Sequence, residues 1–148
     1  MIALIQRVSE ARVDVDGETV GQIPAGILAL VAVERGDGKA QASRMLERIL
    51  GYRIFADDQG RMNRSLKDTG GGLLLVSQFT LAADTASGMR AGFSGAATPE
   101  DGEREFSRLV EMARAAYSPV ETGRFRTHMQ VHLINDGPVT FHLRVAPA

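Results

Sequence analysis

The chain of 148 residues has no cysteine, and this absence excludes several kinds of chemistry. Disulfides, thiolate metal sites and cysteine nucleophiles all need that side chain. A chain without cysteine fits a reducing compartment, so we expect a cytoplasmic protein. The hydrophobic fraction of 44% and the charged fraction of 24% are those of an ordinary globular protein. The length predicts a single domain over residues 1–148.

Long hydrophobic runs and an excess of positive charge are also missing. The longest apolar run, Ile27 to Val33, is far too short to cross a bilayer, and the N-terminal segment lacks the apolar region of a signal peptide. We therefore expect no membrane association. The formal net charge is −1, whereas proteins that coat long stretches of nucleic acid normally carry a basic excess. A contact with nucleic acid is expected only locally, at the end of a nucleic acid chain.

The spacing of apolar residues predicts many strands and two main helices. Residues 11–23 favour a hairpin that turns at Asp16-Gly17. The apolar runs 26–33 and 71–84 are typical of strands buried on both faces. Helical periodicity indicates helices over 37–51 and 98–117. These elements predict an α/β protein with a strand-rich curved sheet or open barrel and the helices packed on one side, a three-layer α/β/β architecture.

The segment HLINDGPVTFHL, residues 132–143, does not follow the usual hairpin pattern. Asn or Asp followed by Gly favours a tight turn, but the next residue is Pro138, which cannot donate a ladder hydrogen bond. We interpret 120–145 as a strand pair with an unusual tip at Gly137-Pro138. In such a hairpin His132 and His142 lie opposite each other, and with His128 they are the candidate ligands of a zinc site. Exposed strand histidines are the favoured interpretation, so we expect no metal.

A polar run ends the second buried strand, at Ser77-Gln78-Phe79-Thr80. Buried polar groups are costly unless they are hydrogen-bonded or used. Two interpretations are open: a strand end whose hydroxyls satisfy local backbone groups, or a pocket floor with Phe79 packing or stacking. No His or Asp lies nearby in the sequence to activate a hydroxyl as a nucleophile. A site here therefore depends on backbone donors, an oxyanion-type arrangement or groups of the substrate.

Two motifs in order strongly resemble the D-aminoacyl-tRNA deacylase family: SQFTLAAD at 77–84 and MQVHLINDGPVT at 129–140. Four further segments resemble the same family at matching lengths, namely MIALIQRV, LGYRIF, FSGAA and VETGRF. The resemblance implies an enzyme that cleaves the ester between a D-amino acid and the terminal adenosine of tRNA. It implies no cofactor and no metal, a tRNA acceptor end as the partner, and a homodimer with its site at the subunit interface.

The resemblance also implies roles for individual residues. Gly137-Pro138 is expected to hold a cis peptide and to enter the partner subunit's pocket, where its carbonyls crowd the position of an L side chain. Arg7 is expected to orient this pair, and Met129 to line the pocket. The other wall, which carries the catalytic positions, matches Ser77, Gln78, Phe79 and Thr80. A rigid backbone suits selection by exclusion. Glycine has no side chain to reject, so Gly-tRNA is an expected further substrate.

Three mechanistic alternatives remain open. The resemblance favours chemistry through the substrate's own 2′-hydroxyl with backbone groups holding the ester. A general esterase with Thr80 or Ser77 as nucleophile, and a non-catalytic module that binds RNA ends, are the rivals. The loop 85–92 is less basic than is usual in the family, since Arg90 is its one cation, which makes its contact with tRNA an open point.

Overall fold

The computed structural model describes all residues, 1–148. The strands are β1 (Ile2–Val15), β2 (Glu18–Ile23), β3 (Gly26–Ala32), β4 (Phe55–Ala56), β5 (Met62–Arg64), β6 (Gly72–Ser77), β7 (Val120–Thr122) and β8 (Gln130–Arg144). The helices are α1 (Lys39–Gly51), α2 (Leu66–Thr69) and α3 (Pro99–Ala116), and a 3-10 turn spans Phe79–Ala82. The predicted α/β class, with two main helices and a strand-rich sheet, is confirmed. No helix has the length and apolar character needed to span a bilayer.

Strand β1 organises the six-stranded sheet. Its first half pairs with β3 and its second half with β2 on one side, while β8 pairs along its other side. Strands β3, β6 and β7 continue the sheet in parallel. The sheet curls until β2 meets β7, where a side chain at Gly21 would collide with the carbonyl oxygen of Thr122. The glycine at position 21 therefore allows β2 and β7 to approach closely, and the curled sheet is the open barrel that the sequence predicts.

Two hydrophobic cores lie on opposite faces of this sheet. Alternate residues of β3 and β6, such as Ile27 and Leu73, face α1 and α3, whereas Leu28 and Leu74 face the inside of the curled sheet. Continuous apolar runs in these strands follow from burial on both faces. Strand β1 contributes to both cores, because Ala3 and Ile5 belong to the helical core while Val8, Ala11 and Val13 belong to the second.

The helices begin and end where the sequence predicts. Helix α3 is capped by Thr98, whose Oγ1 accepts a hydrogen bond of 3.2 Å from the Asp101 N–H, and Pro99 occupies its first turn. Helix α1 follows Gly38 and ends at Gly51. The turn at Asp16-Gly17 has positive φ at both residues, as the predicted hairpin requires.

Two local predictions need correction. The strand predicted over 71–84 ends at Ser77, because β3, its partner, ends at Ala32 and Gln78 N–H makes the last bond, 2.7 Å to Val31 O. The chain then tightens into the 3-10 turn. Helix α2 was not predicted, since its four residues are too short to show periodicity. Its signal is local: the Ser65 and Asp68 side chains cap each other's backbone N–H groups.

The strand pair predicted around Gly137-Pro138 is wrong. Residues 130–135 and 140–144 both pair antiparallel with β1, so β8 is one long edge strand and not a hairpin. Between the pairs Gln6↔Thr140 and Val8↔Asn135, Arg7 alone faces the four residues Asp136–Val139. Pro138 is tolerated because these residues form a bulge outside the ladder.

The prediction that His132 and His142 lie opposite each other is also wrong. His132 pairs with Arg12 and His142 pairs with Leu4, eight positions apart on β1. At the rise of an extended strand this separates them by about 26 Å. His132 instead lies 3.3 Å from Asp14, measured from Nε2 to Oδ2.

Candidate functional site

A cavity of about 420 Å³ opens where β6 ends, beside the first turn of α3 and the segment that leads into β8. Its volume is within the range of small-molecule sites. Four of the residues predicted from the sequence line this cavity: Ser77, Gln78, Phe79 and Met129. Thr80, the remaining member of the predicted wall, is exposed and lies outside this lining. The cavity brings together two segments that are about fifty positions apart in the sequence.

Two aromatic residues that the sequence reasoning did not select complete the cavity. Phe106 on α3 and Phe125 lie with ring centroids 6.2 Å apart and planes at 32°. The Phe125 ring packs on α3 at Gly102, where a Cβ would meet it at an ordinary contact distance of 3.5 Å. The helical spacing by itself places Phe106 on the buried face of α3 and does not indicate a site. Phe125 belongs to VETGRF, one of the segments that carry the family resemblance.

The polar wall is made by the change from strand to 3-10 turn. Ser77 pairs with Val31 at the carboxyl end of two parallel strands, and Gln78 N–H bonds to Val31 O. Phe79 and Thr80 open the turn, and the first N–H groups of a helical turn have no partner inside it. This wall therefore presents backbone donors beside a cavity, the arrangement that stabilises an oxyanion.

No base is hydrogen-bonded to a hydroxyl in this wall. The Thr80 Oγ1 accepts a hydrogen bond from the side-chain amide of Gln78, and no hydrogen bond joins Thr80 or Ser77 to a histidine or a carboxylate. A serine or threonine nucleophile normally needs such a base within hydrogen-bond reach. The geometry does not favour a covalent mechanism through either hydroxyl.

The bulge at Asp136–Val139 is braced by Arg7. Its Nε donates to the carbonyl oxygen of Asp136 and its Nη1 to the carbonyl oxygen of Ile54, both at 2.8 Å. The Arg7 side chain is 17% exposed, so these two bonds hold the guanidinium in a largely buried place. Ile54 was not foreseen from the sequence, because a backbone carbonyl leaves no mark on residue type.

Asn135 braces the bulge from within. Its Oδ1 accepts a bond of 2.7 Å from the Val139 N–H, and its Nδ2 donates to the Thr140 Oγ1 at 2.8 Å. Asn often bonds local backbone in this way, and its place in NDGP was the available signal. The Gly137-Pro138 peptide is cis, in agreement with the expectation from the family.

Only glycine fits at position 137. Its φ is +150°, and a Cβ there would lie 2.6 Å from Val139 Cγ2 and 2.8 Å from the Val139 nitrogen. Gly137 and Pro138 are exposed, and neither lines the cavity. The structure thus forms two groups, the cavity with Ser77 to Phe79 and Met129, and the bulge with Arg7. A single chain does not bring the bulge into the lining of the cavity.

Charges surround the mouth of the cavity. Arg126 and His128 belong to its lining, and Arg126 Nη2 lies 3.6 Å from Glu100 Oε1. In the first turn of α3, hydrogen bonding and charge from Arg104 lower the pKa of Asp101, and their ion pair measures 2.7 Å. Asp101 is therefore ionised at neutral pH and complements the positive end of the helix.

The chain is similar to proteins of one family over almost its whole length. The model of the family described as D-Tyr-tRNA(Tyr) deacylase matches residues 4–144. A protein of Stenotrophomonas maltophilia (strain K279a), named D-aminoacyl-tRNA deacylase, is 67% identical over 97% of this chain and 99% of its own. One of the same name from Alkalilimnicola ehrlichii (strain ATCC BAA-1101 / DSM 17681 / MLHE-1) is 64% identical over 100% and 99%.

Two solved structures share the fold. The protein described as c-Myc DNA Unwinding Element Binding Protein superposes with a TM-score of 0.94 at 36% identity, over 100% of both chains. A probable eukaryotic D-amino acid tRNA deacylase superposes with a TM-score of 0.77 at 15% identity, over 96% of this chain and 98% of that one. At that identity the second likeness concerns the fold alone.

Proposed function

Since the chain belongs to the D-Tyr-tRNA(Tyr) deacylase family, we propose that it hydrolyses the ester bond of D-aminoacyl-tRNA and releases the D-amino acid and free tRNA. The observation that carries this proposal is the combination of an aromatic-walled cavity next to backbone donors with a braced, exposed backbone bulge. The protein acts as a single domain over residues 1–148, in the cytoplasm with the tRNA pool, and without metal or cofactor.

The cavity accepts the terminal adenosine with its amino acid. Phe106 and Phe125 offer apolar surface to a base or a side chain, and the wall from Ser77 to Thr80 receives the ester. Water attacks the ester carbonyl carbon, the bond to the ribose oxygen breaks, and that oxygen takes up a proton. Backbone N–H groups at the start of the 3-10 turn stabilise the developing oxyanion. The substrate's 2′-hydroxyl serves in place of a protein base, which agrees with the unactivated hydroxyls of Ser77 and Thr80.

Selection against L-aminoacyl-tRNA comes from a second copy of the chain. The Gly137-Pro138 bulge is exposed on an edge strand and does not line its own cavity, and unpaired edges are surfaces on which chains meet. In the homodimer the bulge enters the partner's cavity, and its carbonyl groups occupy the place of an L side chain. A glycyl group has no side chain in the D or the L position, so the bulge does not exclude it and Gly-tRNA is a further substrate.

The test compares matched D-Tyr-tRNA and L-Tyr-tRNA. We expect release of D-tyrosine at a rate at least about 100-fold above that of L-tyrosine, since exclusion by a rigid group gives large discrimination. Equal cleavage of both would contradict the role of the bulge. Cleavage of neither, with retained binding of the CCA end, would establish the RNA-end binding module. A sedimentation measurement at assay concentration tests the dimer, which a monomeric species would rule out.

The esterase alternative is tested by Thr80→Ala and Ser77→Ala. Because neither hydroxyl has a base, we expect the rate of D-Tyr-tRNA cleavage to change by less than about 10-fold in each variant. A loss above about 1,000-fold in one variant, with folding unchanged by circular dichroism, would identify that hydroxyl as the nucleophile.

A further inference from the structure

Exposed hydrophobic side chains are concentrated beside the cavity. Of the five large hydrophobic side chains with high exposure, three belong to the 3-10 turn and the loop that follows it: Phe79 at 62%, Met89 at 103% and Phe93 at 40%. The rings of Phe79 and Phe93 lie with centroids 5.2 Å apart and planes at 46°. We call this pair the aromatic rim. Two phenyl rings that pair with each other in solvent leave their outer faces open to a ligand.

The aromatic rim is held in place by backbone hydrogen bonds. Asp84 and Gly92 exchange two such bonds, of 2.7 and 3.0 Å, and this bridge closes the loop directly before Phe93. After Phe93, the Ala96 N–H donates to the Phe93 carbonyl at 3.1 Å, and the Arg35 N–H donates to Gly95. The backbone on both sides of Phe93 is thus held by hydrogen bonds of the fold.

The rim is continuous with the cavity, because Phe79 lines the cavity and also contacts Phe93. If the cavity holds the terminal adenosine, the unpaired nucleotides before it must leave across the mouth. On this basis, which rests on the proposed function, we infer that Phe79 and Phe93 form a stacking platform for the unpaired bases that precede the terminal adenosine. Phe93 is then a positioning residue for the tRNA.

The chemistry of the rim suits a single-stranded nucleic acid. Bases stack on aromatic side chains with little regard to sequence, and nearby cations neutralise the phosphates. Arg35 and Arg90 are exposed on the segments that flank the rim. The exposed carboxylates nearby already have partners, since Asp84 accepts the Ala86 N–H and Glu100 pairs with Arg126. A contact limited to a few nucleotides also agrees with the net charge of −1.

The experiment compares two substrates with the same ester. These are D-Tyr-tRNA and D-tyrosyl-adenosine, which lacks the preceding nucleotides. For Phe93→Ala we expect the ratio of kcat/KM on the tRNA to kcat/KM on the adenosine ester to fall about 10-fold, the loss of one stacked base. Phe93→Tyr keeps a stacking face and should keep the ratio. Met62→Ala, which removes an exposed hydrophobic side chain on β5, is the control and should change neither rate.

Three results would overturn the inference. The first is an unchanged ratio in Phe93→Ala, with wild-type cleavage intact. The second is a loss of the dimer in sedimentation of Phe93→Ala, which would make the rim a contact between subunits.

If the wild type cleaves neither substrate, the proposed function fails, and the rim is tested by binding of a fluorescent single-stranded RNA that ends in CCA. Weaker binding by Phe93→Ala would support the platform, and equal or absent binding would be the third contrary result.

Discussion

The cavity wall and the bulge both interrupt a strand, but they are held in different ways. The wall at Ser77 to Thr80 ends a strand buried in the middle of the sheet, and every element around it comes from the same chain. The bulge at Asp136–Val139 lies on an edge strand, and its support comes from Arg7 and Asn135 on its inner side only. Within one chain the wall is surrounded by other elements, whereas Gly137 and Pro138 in the bulge are exposed. Under the proposed function, this difference assigns binding to the wall and selection to the bulge.

The largest effect is expected from a change inside the bulge. In Gly137→Ala the new Cβ collides with Val139, so the bulge must move. A displacement of about 1 Å can cost 100-fold in rate, and we expect cleavage of D-Tyr-tRNA to fall by at least about that factor. The control is Gly60→Ala, also at positive φ but with open space around it, which should keep the wild-type rate. Wild-type cleavage by Gly137→Ala would separate the bulge from the reaction.

Mixing two inactive variants sharpens the same comparison. Gly137→Ala keeps an intact wall, and Phe125→Ala, which opens the cavity, keeps an intact bulge. If the protein is the proposed homodimer, subunit exchange gives heterodimers with one complete site, and activity should return to about a quarter of the wild-type level. The measurement is the rate after joint refolding, with each variant refolded alone as the control. If the bulge served its own chain's cavity, no activity would return.

A smaller effect is expected when the brace is weakened. Arg7→Lys keeps the charge but cannot span the Asp136 and Ile54 carbonyls with a planar fork. We expect kcat/KM on D-Tyr-tRNA to fall about 10-fold, the cost of one lost charged hydrogen bond. Arg12→Lys, on the same strand but paired with Asp14, is the matched control. Equal rates for both lysine variants would show that the brace is not needed.

The smallest effect on activity is expected far from the bulge, at the other end of β8. Burial would raise the pKa of Glu34, but hydrogen bonds from Arg144 and from the Met1 ammonium outweigh it and lower this pKa overall. A lowered pKa stabilises the fold above the ordinary glutamate value of about 4.3, and the contribution disappears as the pH falls through the lowered value.

We therefore expect Glu34→Gln to reduce the free energy of unfolding by about 1 kcal/mol at pH 7, and the difference from the wild type to vanish only as the pH falls through the lowered pKa, below the ordinary value of about 4.3. Cleavage at pH 7 should stay within about 2-fold. Urea unfolding at both pH values measures the effect. Glu47→Gln, which removes an exposed pair with Arg44, is the control and should not change stability measurably. A difference that persists in acid strong enough to protonate Glu34 in the folded state would assign the effect to packing.

Sequence periodicity predicted the elements that obey local rules. Helix α3 shows its cap at Thr98 and its apolar stripe at Phe106, Leu109 and Ala113, because helix ends and buried faces are fixed by nearby residues. Strands β3 and β6 appear as continuous apolar runs because both of their faces are buried. The motif at Ser77 to Thr80 was also visible, as a polar run after such a strand.

The arrangement around Pro138 was not predictable in this way. Turn chemistry assigned Asn135 to Pro138 to a hairpin tip, yet the strand continues past them along β1. Which strand a segment pairs with depends on distant residues, here those of β1, more than 120 positions earlier in the chain. The same holds for the Arg7 brace, since an arginine that bonds to backbone carbonyls has no partner that residue types reveal.

The bulge lies where β1 passes from one core to the other. Ile5 belongs to the helical core and Val8 to the second, and the ladder between β1 and β8 is irregular at this crossing. The interruption of the ladder thus coincides with the change of core along β1. In evolution, a descendant that changed the bulge could lose the reaction and still keep the architecture. A relative with a nearly identical backbone therefore has to be read at positions 7 and 135–139 before an activity is transferred to it.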